Sequence, residues 1–139
     1  GWDTHVNNFI SVPEKCAVVD QALSTLIRDL ESRGKLDETL IVLATEFGRT
    51  PRINQNAGRD HYPKAFSCLM AGGGINGGIA YGKTDDKGEN IIENRTSIQD
   101  FNATIAHALG IDGNEVIHSP SGRPFKMSNG GEVIKDLFI

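Results

Sequence analysis

An α/β sandwich with a mostly parallel sheet is the fold this sequence predicts, and three observations lead to it. Two short apolar runs, "LIVLAT" at 40–45 and "AFSCLMAG" at 65–72, show no alternation, as expected of strands buried on both faces. They are interleaved with stretches whose apolar residues recur at helical spacing, and that alternation is the signature of helices packed on a parallel sheet. At 139 residues the chain makes one domain at most, long enough to bury a core.

The elements follow in order. Ser11-Val12-Pro13-Glu14 has the form of a capping box with an early proline. Behind it Val18, Val19, Ala22, Leu23, Leu26, Ile27 and Leu30 trace one helical face until Gly34 stops the pattern. The reading is a helix over about 12–33. The runs at 40–45 and 66–71 are then neighbouring strands. Asn76-Gly77 signals a turn, with a short strand "GIAYGK" after it. Ser97 and Asp100 cap a second helix over 98–109, with Phe101, Ile105, Ala108 and Leu109 on one side. The Gly-, Ser-, Pro- and Asn-rich tail from 113 to 131 reads as loop.

Bulk composition excludes some partners. A net charge of −4 gives no basic surface for nucleic acid, and no apolar run reaches the length of a membrane span. Cys16 and Cys68 lie in apolar contexts and read as small buried residues rather than a disulfide framework. "AGGGINGG" at 71–78 lacks the Gly-Lys-Ser/Thr ending of a phosphate loop, and a turn explains its glycines better.

The chemistry-bearing residues sit at strand ends and in one long loop. Glu46 follows the run 40–45 directly, where ligands bind in open α/β sheets, and the loop 47–63 carries Arg49, Arg52, Arg59, Asp60 and His61. Asp3 and His5 are two apart, so an extended segment sends both to the same side. Asp3, His5, Glu46, Asp60 and His61 offer carboxylate oxygens and imidazole nitrogens, the donor set of zinc, manganese or a similar divalent ion. As short patterns D-x-H and D-H recur by accident on surfaces. Their weight lies in the order acid-x-His, helix, strand, acid, loop, Asp-His. Such a cluster in the first five residues also predicts upstream sequence to dock it, so the chain reads as the C-terminal portion of a longer protein.

In that order, "GWDTH" (1–5), "EFGRTP" (46–51), "GRDHYP" (58–63) and "TSIQDFNATIAHALGI" (96–111) make the chain resemble the C-terminal half of the alkaline phosphatase and sulfatase superfamily. Most closely it resembles the bacterial sulfatase-like domain of unknown function 1501 family. The resemblance implies a three-layer, alkaline phosphatase-like sandwich and parallel pairing of 40–45 with 66–71. It implies a metal-dependent hydrolase of sulfate or phosphate monoesters, using zinc, manganese or calcium, exported or periplasmic, with its nucleophile outside this chain. By position Asp3, His5 and His61 hold one metal, and Glu46 stands where the superfamily has the aspartate of an Asp-His pair for a second. The histidine of that pair is here Phe47, which cannot ligate. Arg49 and Arg59 are the candidates to bind the ester's oxygens. The other reading open at this point is a degenerate, non-catalytic module with a binding or structural role. An incomplete sheet further implies an exposed apolar edge and self-association.

Overall fold

The computed structural model describes residues 1–139. Helix α1 (Asn8–Ser32) is followed by a 3-10 turn (Leu36–Glu38) and strand β1 (Ile41–Leu43). Then come β2 (Gly48–Arg49), β3 (His61–Tyr62), β4 (Leu69–Ala71), β5 (Lys83–Thr84) and β6 (Ile91–Glu93). Helix α2 (Ile98–Ala108) precedes β7 (Val116–His118), β8 (Pro124–Lys126) and a closing 3-10 turn (Lys135–Leu137).

The strands form two-stranded sheets, β1–β4, β2–β3, β5–β6 and β7–β8, each antiparallel. This overturns the three-layer sandwich with a mostly parallel sheet. The predicted neighbours do pair, with Ile41 opposite Ala71 and Leu43 opposite Leu69, but in the opposite sense. The reason lies in the connection. Parallel pairing needs a crossover, usually a helix, whereas residues 44–68 leave β1 and come back through the β2–β3 hairpin. Neither run is buried on both faces: β1 ends on an exposed Leu43, and β4 begins on an exposed Leu69.

Helix α1 starts earlier than its capping-box motif suggests. Asn7, at φ 50°, turns the chain into the helix, so Ser11 and Pro13 lie inside it. Asn and Gly are the residues that take this left-handed turn at least cost. Helix α2 follows the sequence closely. Ser97 Oγ accepts from the Asp100 N–H at 3.0 Å, and Asp100 Oδ2 accepts from the Ser97 N–H at 3.0 Å, a reciprocal capping box. The tail read as loop contains the β7–β8 hairpin, with Ile117 opposite Phe125. "GIAYGK" contributes only Lys83 to a strand.

The buried centre lies along α2. Ala103, Thr104 and Ala106 are buried there, and Thr104 Oγ1 donates to Asp100 O at 2.7 Å while accepting the Ile134 N–H at 3.1 Å. Much apolar surface stays uncovered. The accessible area is 9894 Å², whereas the size scaling of folded monomers gives roughly 7,000 Å² for this mass. On α1 the predicted stripe is split: Val19, Leu23, Ile27 and Leu30 are half-buried, while Val18 and Leu26 face solvent. Cys16 and Cys68, expected to be buried, are exposed. No helix is long and apolar enough to cross a membrane.

Candidate metal centre

The segment 1–7 lies against the loop between β2 and β3, and the backbone makes that contact. Arg59 N–H donates to Thr4 O at 3.2 Å, Asn7 N–H to Asn56 O at 3.2 Å and Asn8 N–H to Ala57 O at 3.0 Å. Gly58 permits the approach, because a β-carbon there would stand 1.9 Å from His5 O. Beneath the contact, Thr4 Oγ1 donates to Asn8 Oδ1 at 2.7 Å, and both residues are buried.

This docking brings three side chains to one point. His5 Nε2 lies 3.2 Å from His61 Nε2, and Asp3 Oδ1 lies 3.0 Å from each of them. A tetrahedral zinc with bonds of about 2.0–2.1 Å holds its ligand atoms about 3.3–3.4 Å apart. An ion about 1 Å above the plane of this triangle would therefore meet all three atoms with small adjustments. The set is two imidazoles and one carboxylate, and it leaves a fourth position toward solvent, since the Asp3, His5 and His61 side chains are all well exposed. Catalytic zinc sites combine three protein ligands with one open position in this way.

With neutral imidazoles the hydrogen positions also leave room for a cation. Asp60 Oδ1 lies 2.8 Å from His5 Nδ1, and a carboxylate can only accept, so Nδ1 carries the hydrogen. In neutral His5 the lone pair is then on Nε2, facing the triangle. If His61 carries its hydrogen on Nε2, that one hydrogen lies between two acceptors, His5 Nε2 and Asp3 Oδ1. A divalent ion in its place would satisfy three lone pairs at once.

Arg49 and the two histidines set the electrostatics of Asp3. His61 and then Arg49, the latter donating to Asp3 Oδ1 at 2.6 Å, pull the Asp3 carboxyl down to about 2. Arg49 reaches it because β2 pairs with β3, placing Arg49 directly opposite His61. The hydrogen bond from His5, and then that from Asn54, lowers the Asp60 carboxyl. Asp3 thus keeps its charge to lower pH than an unfolded aspartate at about 3.9. Its contacts contribute stability in full above about pH 4 and lose it as the pH falls toward 2. With chelator present, the urea midpoint of the wild-type chain should fall more steeply across that window than that of Asp3→Asn. Equal slopes would contradict the assignment.

The remaining expected ligands go elsewhere. Asp60 meets the far nitrogen of His5 rather than the triangle. Glu46 is exposed and does not join the group. The Phe47 ring packs at 4.2 Å on the His61 ring, so position 47 supports the imidazole from the side. Arg59 donates to Thr50 O and Pro51 O and lies over the Phe9 ring, which commits its guanidinium to the loop. An open cleft of about 510 Å³ is lined by Thr50, Arg52, Asn54 and Asp60 among others. It meets the group only through Asp60, on the Nδ1 side of His5, and none of the three triangle residues lines it. Sequence reasoning gave Gly58 a part in the turn before Asp60-His61 but not its close approach to His5, and passed over Asn54 and the Thr4–Asn8 pair. The turn-forming run "NQNAG" before "RDH" was the signal available for Asn54.

No curated protein and no solved structure matches the chain. A family model described as "Protein of unknown function (DUF1501)" matches residues 1–138. The chain therefore belongs to the DUF1501 family.

Proposed function

We propose that Asp3, His5 and His61 hold one divalent cation, zinc in the first instance, and that the chain is part of a metal-dependent hydrolase of sulfate or phosphate monoesters. The observation that carries the reading is the triangle of His5 Nε2, His61 Nε2 and Asp3 Oδ1, with edges of 3.0–3.2 Å. Asp60 supports it by holding the hydrogen on His5 Nδ1, the carboxylate–histidine arrangement common around bound zinc. The bound cation supplies Lewis-acid polarisation of an ester oxygen. Arg49, already beside Asp3, is the residue we assign to the ester's remaining charge. The ester class rests on the resemblance of "GWDTH", "EFGRTP" and "GRDHYP" to the alkaline phosphatase and sulfatase superfamily. The nucleophile is not assigned to any residue here.

One observation favours the non-catalytic reading: Phe47 occupies the place of a second metal's histidine and is packed on His61. Calorimetric titration of inorganic phosphate and of sulfate into the chain separates the two. With zinc bound, the hydrolase reading expects anion binding that disappears in chelator. Zinc binding without any zinc-dependent anion binding would leave the metal site standing and remove the hydrolase.

A further inference from the structure

The geometry points to Asn54 as a positioning residue that ties the two halves of the metal centre together and aims His5 through Asp60, an inference that rests on the metal reading above. Every hydrogen-bonding valence of this amide is in use. Its Nδ2 donates to His5 O at 3.0 Å and to Asp60 Oδ1 at 3.1 Å. Its Oδ1 accepts the N–H groups of Asn56 at 2.9 Å and of Gly58 at 3.0 Å. The two acceptor contacts shape the turn that lets Gly58 lie against His5. The two donor contacts do something different. One holds the backbone of His5, and the other holds the carboxylate oxygen that fixes the His5 ring.

The relay is short. Asn54 Nδ2 and His5 Nδ1 both point at Asp60 Oδ1, so that oxygen is held from two directions and the carboxylate has little freedom to rotate. A carboxylate free to turn would let the His5 ring rotate or exchange its tautomer, and Nε2 would leave the triangle. Outer partners of this kind are worth 10- to 100-fold in metal affinity. Only an amide serves here, because residue 54 must accept twice and donate twice. Aspartate keeps the acceptors and the turn, loses both donors, and sets a second carboxylate against Asp60.

The test is a double-mutant cycle on the full chain, reading zinc affinity by competition with a chelating dye and site geometry by the visible absorption of bound cobalt(II). Asn54→Asp should weaken zinc about tenfold and change the cobalt spectrum, with the far-ultraviolet circular dichroism unchanged. In an Asp60→Ala background the same substitution should cost clearly less, because only the bond to His5 O is then left to lose. A loss of zinc affinity equal in both backgrounds would show that Asn54 acts through the loop backbone alone and would overturn the relay. So would a variant that melts lower yet binds zinc and cobalt as wild type does. A wild-type chain that binds neither metal would remove the metal reading itself, and this inference with it.

Discussion

Gly58→Ala is expected to pull the amino-terminal segment off the β2–β3 loop and to dismantle the proposed metal centre without touching any of its three side chains. The added methyl would stand 1.9 Å from His5 O, 2.1 Å from His5 C and 2.6 Å from Val6 N, all backbone atoms that no rotamer change can move. Restoring ordinary contact requires the two segments to part by about 1.5 Å, on the usual heavy-atom contact distance of about 3.5 Å. The backbone bonds from Arg59 to Thr4, Asn7 to Asn56 and Asn8 to Ala57 lengthen or break. At about 1 kcal/mol net for each, the loss is on the order of 2–4 kcal/mol. Because His5 rides on one segment and His61 on the other, zinc affinity should fall by at least 100-fold, the upper range for disturbing a ligand's support. Gly77→Ala is the control, since a β-carbon there meets nothing within 4 Å. Chemical denaturation and zinc titration of the two variants check the prediction. Gly58→Ala with wild-type stability and affinity would contradict the packing described.

His61→Ala is expected to abolish the stabilisation of the chain by zinc while leaving the metal-free fold nearly intact. At a free zinc concentration 100 times its dissociation constant, binding to the folded state alone is worth about 2.7 kcal/mol. For a chain of this size that corresponds to a rise in melting temperature of roughly 10 °C. Removing His61 leaves one imidazole and one carboxylate, and the rise should shrink to about 2 °C or less in that range. The side chain is nearly half exposed and packs on the Phe47 and His5 rings, so melting in chelator should differ far less between the two proteins than the zinc-dependent rise does. A zinc-dependent rise of equal size in both would place the metal elsewhere.

The parts of this molecule that were legible in the sequence are those governed by local chemistry. Ser97 and Asp100 announce α2 because a reciprocal cap needs only residues three apart. The meeting of His5 with His61 was legible only through the resemblance, which sets both at one metal. The loop 47–63 says nothing of where the segment 1–7 docks, and Glu46, expected on the same rim, does not join them. Strand direction was not. Strands of three residues carry no signal that separates parallel from antiparallel pairing, and the missing crossover helix shows only in what 44–68 do instead. The start of α1 was misplaced because Ser11-x-x-Glu14 imitates a cap, while the residue that turns the chain, Asn7, does so through a backbone angle. Asp60 could not be told from a direct ligand, because only coordinates show that it meets His5 at Nδ1. The hairpin at β7–β8 was hidden by the Gly and Ser that make its turn.

Zinc K-edge X-ray absorption on the chain loaded with one equivalent of zinc reads the proposed ligands of the ion themselves. Nitrogen and oxygen scatterers are expected at about 2.0–2.1 Å, with the outer-shell pattern of two imidazoles and no sulfur. His61→Ala should reduce that pattern to one imidazole or fail to retain the metal. A sulfur shell at about 2.3 Å, which would implicate the exposed Cys16 or Cys68, or a spectrum without imidazole scattering, would contradict the site built from Asp3, His5 and His61.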